Sequence, residues 1–187
     1  MTMTSDARPR ATIDRAALAR QIAEVALLRG NFTLRSGRTS TFYLDKYLFS
    51  TQPAILRDLG AMFAERIPAG TVRLAGAELG GIPLVSATSL ACGLPCVFVR
   101  NAKKDYGTAK QLEGVILAGD RMVLVEDVAT TGGQALEAVK VLQAAGAVVT
   151  HVLATIDRME GARENVEREG LVFDALFTVR DLGIQPS

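Results

Sequence analysis

Residues 122–146 read MVLVEDVATTGGQALEAVKVLQAAG. The run MVLV is apolar without alternation, as a strand covered on both faces requires. It meets two adjacent acids, Glu126 and Asp127. Val128, Ala129, Thr130, Thr131, Gly132 and Gly133 follow, all small, hydroxylated or without a side chain apart from the valine. From Gln134 to Gly146 the apolar positions recur at helical spacing. In an open parallel sheet, ligands bind beyond the carboxyl ends of the strands, and that place holds Thr130 to Gly133.

The residue types there suit an anion. Backbone N–H groups at the start of a helix point at a negative charge, threonine hydroxyls add donors, and glycine lets the backbone approach closely. A phosphate monoester fits that description. Glu126 and Asp127 would repel a phosphate aimed at them, but they accept hydrogen bonds well from sugar hydroxyls. Loop and acids together describe a ribose 5-phosphate site. The alternative is a plain strand-to-helix turn with a threonine cap. The sequence contains neither G-x-x-x-x-G-K-[ST] nor G-x-G-x-x-G.

Working outward, Ile13, Ala17, Leu18, Ile22, Val25 and Leu28 predict a helix that Gly30 ends. Phe32–Leu34 and Thr41–Tyr47 predict short strands around a turn at Ser36-Gly37, and Pro53 opens a helix to about Arg66. Short apolar strands are expected at 72–76, 96–100, 121–126, 148–154 and 172–176, with helices at 82–92, 132–145 and 159–169. Strand alternating with helix implies right-handed crossovers and an α/β fold with a mainly parallel central sheet. Residues 1–187 are expected to form a single domain, with 1–11 as a flexible tail and 12–47 as a helix plus a small two-stranded appendage. Residues 101–112, NAKKDYGTAKQL, form a long irregular piece of the kind that usually serves function.

Composition narrows the function classes. The formal net charge is +1, so global charge gives no case for nucleic acid or an anionic membrane. With His151 as the sole histidine, a multi-histidine metal site is excluded. Cys92 and Cys96 fit neither a C-x-x-C redox pair nor a zinc half-site and are expected to pack as small hydrophobes. MTMTSDARPR lacks the apolar stretch of a signal peptide, and a cytoplasmic location is expected.

VLVEDVATTGG resembles the phosphoribosyl-diphosphate signature of the type I phosphoribosyltransferases. Four further segments stand in the order seen in the orotate phosphoribosyltransferases: FTLRSGRTSTFYLD (32–45), ELGGIPL (78–84), FVRNAKKDYGTAKQLEG (98–114) and IDRMEGA (156–162). The resemblance spans about residues 20–182. The signature alone marks the superfamily, and the other four segments favour orotate as the base.

The resemblance implies a type I phosphoribosyltransferase fold in which the 12–47 appendage forms an N-terminal hood. It implies transfer of a phosphoribosyl group from 5-phospho-α-D-ribose 1-diphosphate to orotate. Mg²⁺ is expected to bridge diphosphate and ribose oxygens, with no ligand directly from the protein. A homodimer is implied, with loop 100–110 reaching into the neighbouring site. Arg100, Lys104 and Tyr106 match loop positions used on the diphosphate, where negative charge develops as the bond breaks. Lys103 is placed to supply a further cation. Lys104, Arg100 and Asp127 are the catalytic candidates, Asp127 as a possible general base. Arg158 matches the orotate ligand, with pairing to Glu160 as the alternative. Arg35 matches a diphosphate or orotate contact. Phe42 and Tyr43 would wall the pyrimidine unless they are core aromatics. The chain departs from the family at Asn101, where lysine is common, at Ala102, and at Leu79-Gly80, where many members have Tyr-Lys. A purine acceptor and a non-catalytic nucleotide-binding regulator are the competing readings.

Overall fold

The computed structural model describes residues 12–33, 39–101 and 111–185. Asp14 opens α1 (Arg15–Ala26) by accepting the N–H groups of Ala16 and Ala17. The helix stops at Ala26, short of Leu28, and Gly30 lies inside β1 (Leu27–Thr33), next to an irregularity between Arg29 and Phe32. β1 pairs antiparallel with β2 (Thr39–Leu44), forming a separate two-stranded sheet. Asp45 then caps the short α2 (Lys46–Ser50), so Lys46 and Tyr47 are helical instead of closing the strand. Pro53 begins α3 (Pro53–Ala64).

The main sheet follows with β3 (Arg73–Ala77), α4 (Gly81–Cys92), β4 (Cys96–Val99), β5 (Leu112–Glu113) and β6 (Arg121–Ala129). It continues with α5 (Gly133–Ala144), β7 (Val148–Asp157), α6 (Ala162–Arg168), β8 (Val172–Thr178) and a 3-10 turn at Val179–Leu182. Strand order is β5-β4-β3-β6-β7-β8, and every pair is parallel except β4 with β5. This is the α/β, mainly parallel sheet that the alternation predicts.

Met122 to Val125 are fully buried. Val123 and Val125 face the cluster built with α1, α3 and α4, while Met122 and Leu124 face the cluster built with α5 and α6. A strand covered on both sides has no polar period to show. Each such side chain contributes roughly 1.5–3 kcal/mol by leaving water, which fixes β6 as the frame for what lies at its end. Cys92 and Cys96 are unbonded and pack against the first cluster. His151 lies half-buried in β7, where burial and then Arg121 lower its pKa. Among the described residues no helix is long and apolar enough to cross a membrane.

Candidate functional site

From β3 the chain crosses by α4 to β4 on one side of the sheet, while from β6 it crosses by α5 and α6 toward β8 on the other. The winding direction therefore reverses between β3 and β6. A crevice opens at the carboxyl ends of the strands at such a point. A cleft of about 250 Å³ lies there, and Lys46, Glu78, Arg100, Glu126, Asp127 and Gln134 are among the side chains lining it. A larger hollow of about 830 Å³ lies between α1, α3 and α4. Its charged groups are already engaged, since Asp14 caps α1 and Arg57 pairs with Asp58, so the smaller cleft holds the chemistry.

β6 does not end at the acids but runs on to Ala129, so Glu126 and Asp127 are strand residues buried to 7% and 0% exposure. Glu126 Oε1 accepts the Asp127 N–H, and Asp127 Oδ1 accepts the Val128 N–H. Glu126 Oε2 and Asp127 Oδ2 have no hydrogen-bond partner among the described residues. Lys46 Nζ lies 2.9 Å from Asp127 Oδ2 as an ion pair without hydrogen-bond alignment, which leaves that oxygen's acceptor capacity open. Burial, then the adjacent Asp127 carboxylate, push Glu126 well above the ordinary carboxylate range. Burial opposes the charge on Lys46, but Asp127 and then Glu126 outweigh it and hold the ammonium above its usual pKa.

Beyond Ala129 the chain turns through Thr130, Thr131 and Gly132 into α5. Gly132 has φ 76°, a left-handed conformation that glycine adopts without penalty, and no side chain caps the helix. Gly132, not Thr131, is therefore the N-cap, and no side chain caps the first N–H groups of α5. Asn165 donates to the Thr131 carbonyl and Arg158 N–H to the Ala129 carbonyl, which pins the turn to the neighbouring segments. Thr131, Gly133 and Gln134 are exposed, and Val128 is half-buried.

The other expected residues are distributed as follows. Arg100 reaches the cleft, with its N–H paired to the Gln111 carbonyl and its buried Nε without a hydrogen-bond partner among the described residues. Arg158 pairs with Glu160 at 2.7 Å. Phe42 packs against the main core, whereas Tyr43 is exposed and lies 5.7 Å from the Phe32 ring. Adjacent strand residues point to opposite faces, so the two aromatics do not share a wall. Arg35, Lys103, Lys104 and Tyr106 lie outside the described residues.

Two features were not anticipated. Asn101 donates its backbone N–H to Glu78 Oε1 at 2.6 Å and its side-chain amide to the Glu78 carbonyl, fastening the chain just past β4 to the β3–α4 turn. Lys46 enters from α2, and its signal was Asp45, a capping residue that makes the next turn helical.

Residues 49–174 match the family model described as phosphoribosyl transferase domain. The chain is 48% identical over 158 residues to orotate phosphoribosyltransferase of Methanocella arvoryzae, covering 84% of this chain and 90% of that one. It is 46% identical over 153 residues to the enzyme of that name from Natronomonas pharaonis, covering 82% and 87%. Among solved structures, orotate phosphoribosyltransferase of Mycobacterium tuberculosis in complex with 5-phospho-alpha-D-ribosyl 1-diphosphate superposes with TM-score 0.75 at 32% identity, over 92% of this chain and all of that one.

Proposed function

The chain belongs to the phosphoribosyltransferase family, and from that premise we propose how its own residues transfer a phosphoribosyl group to orotate. It is an orotate phosphoribosyltransferase, a transferase of pyrimidine synthesis. It takes 5-phospho-α-D-ribose 1-diphosphate and orotate and releases orotidine 5′-monophosphate and pyrophosphate.

One observation carries the assignment of residues. Two buried carboxylate oxygens with open lone pairs, Glu126 Oε2 and Asp127 Oδ2, stand directly before a glycine turn that bares a helix start. The N–H groups and hydroxyls of Thr130 to Gly133 take the 5-phosphate, with Val128, Ala129 and Gln134 framing it. Glu126 and Asp127 take the ribose hydroxyls. The same open lone pairs would suit a sugar that arrives with Mg²⁺, and the ion would supply positive charge to offset that of the diphosphate.

A ring nitrogen of orotate forms a bond to the anomeric carbon as the bond from that carbon to the diphosphate oxygen breaks, and the electron pair leaves with pyrophosphate. Positive charge develops on the sugar beside Glu126 and Asp127. Negative charge develops on the diphosphate, to which we assign Arg100, Lys103, Lys104, Tyr106 and Arg35. Arg158, released from Glu160, offers its planar fork to the orotate carboxylate. Tyr43 borders the base, while Phe42 supports the hood from the core side. Asp127 is the nearest candidate for a general base. We place the enzyme in the cytoplasm as a homodimer with loop 100–110 shared between sites.

The test follows orotate loss by absorbance with the diphosphate substrate and Mg²⁺. Lys104→Ala should lower kcat on the order of 10²-fold, as loss of one stabiliser of developing charge does. An unchanged rate would remove Lys104 from the mechanism, and turnover of guanine without orotate would refute the choice of base.

A further inference from the structure

The Lys46–Asp127 pair has no place in the reaction as described so far. Asp127 is buried among β3, β6 and α2, with Oδ1 committed to the Val128 N–H and Oδ2 facing Lys46. A Cβ at Gly80 would overlap Oδ2 outright, so the β3–α4 turn can send no side chain into this space. The cation beside Asp127 comes instead from α2, across the cleft. The Lys46 ammonium also lies 5.7 Å from the Tyr47 ring centre, within the range of a cation–π contact. A polyanionic substrate entering this cleft meets the adjacent acids Glu126 and Asp127, and Lys46 is the charge that answers them.

We propose that Lys46 is a positioning residue of the phosphoribosyl site: its ammonium holds the Asp127 carboxylate in the orientation that meets the ribose hydroxyls and offsets a negative charge the substrate would otherwise meet. The inference rests on the assignment of Glu126 and Asp127 to the sugar. Lys46 acts through Asp127 and not on the reacting atoms. Its loss therefore weakens the phosphoribosyl half of the site and spares the base half.

Steady-state kinetics on the full chain with Mg²⁺ test this in wild type, Lys46→Gln, Lys46→Arg, Asp127→Asn and the Lys46→Gln/Asp127→Asn double variant. Lys46→Gln should raise KM for the diphosphate substrate about 10-fold, the size of one charge-assisted contact, and move KM for orotate less than about twofold. Lys46→Arg should recover most of the loss. The double variant should bind no worse than Asp127→Asn, because groups acting as a unit are not additive. Equal rises in both KM values, an unchanged KM for the diphosphate substrate, or fully multiplicative effects would overturn the proposal. Calorimetric titration with ribose 5-phosphate, run in the cold where a destabilised variant stays folded, repeats the comparison without turnover. Should wild type reject orotate but accept another base, the choice of base fails, and the ribose 5-phosphate titration still decides the role of Lys46.

Discussion

Gly80→Ala adds one methyl group where the structure has no room for it. The backbone does not object, since φ −70° and ψ −28° are ordinary helical values. The obstacle is Asp127. The new Cβ would overlap Oδ2 and lie 2.6 Å from Cγ, whereas carbon atoms pack best at about 3.5–4.0 Å. The carboxylate must swing by roughly 1 Å or more to restore that spacing. It is held by the Val128 N–H on one oxygen and by Lys46 on the other, so the swing breaks at least one of these contacts. Overpacking costs about 1–3 kcal/mol, and a lost charge-assisted contact about 1.5–3 kcal/mol. The two overlap, since the swing that relieves the first causes the second, and a loss of about 2–4 kcal/mol is expected. At about 2–4 °C per kcal/mol for a domain of this size, Tm should fall on the order of 5–15 °C by circular dichroism. In the fraction that stays folded, the displaced carboxylate no longer faces the ribose, and KM for the diphosphate substrate should rise about 10- to 100-fold. An alanine variant that melts within about a degree of wild type and keeps its KM would show that Asp127 does not occupy this position.

Three further outcomes are expected. Glu126 holds its proton more tightly in the folded chain than in the unfolded one, so its contribution to stability is complete below the unfolded pKa and is lost as pH rises toward the folded value. Glu126→Gln removes that loss, and its Tm should gain on wild type as pH climbs from about 4 toward neutrality, while turnover falls; a Tm difference constant with pH contradicts this. Arg158→Ala should raise KM for orotate about 10-fold and leave KM for the diphosphate substrate unchanged, and a rise confined to the diphosphate would move Arg158 to the other half of the site. Gly60→Ala would set a Cβ 2.7–2.8 Å from the Ala87 backbone and side chain, wedging α3 from α4. Urea midpoints should show a loss of about 1–3 kcal/mol with kcat per folded molecule unchanged.

What the sequence disclosed depended on how much chain each feature occupies. β6 and β7 show mostly apolar runs and α5 a helical period, each over many residues, and the paired acids with the glycine turn stand together in a single segment. The short elements leave no such trace. β5 is a two-residue strand and α2 spans five residues, too little for a period to accumulate. The end of β6 is not legible because Glu126 and Asp127 are polar and yet lie within the ladder, Glu126 opposite Ala154 and Val128 beyond them opposite Ile156. Lys46 was hidden for a related reason. Thr41 to Tyr47 reads as one strand, and only Asp45 marks the break. Its partner Asp127 is far along the chain, and no local pattern couples them. Gly80 stands where many members of the family have lysine, but the carboxylate that fills the space in front of it is a tertiary fact.

The arrangement of charge carries a mechanistic consequence. Glu126 and Asp127 sit on a strand whose Met122 to Val125 are fully buried, and the Asp127 carboxylate is held by the Val128 N–H and by the Lys46 ammonium. A carboxylate held there cannot turn away when the sugar beside it becomes electron-poor, so its attraction rises with the charge of the transition state and not with the binding of the ground state. Arg100, by contrast, stands just past the end of β4 and lines the same cleft. On the assignment proposed above, the share of the field across the anomeric carbon that Asp127 supplies is therefore fixed by the strand before substrate arrives.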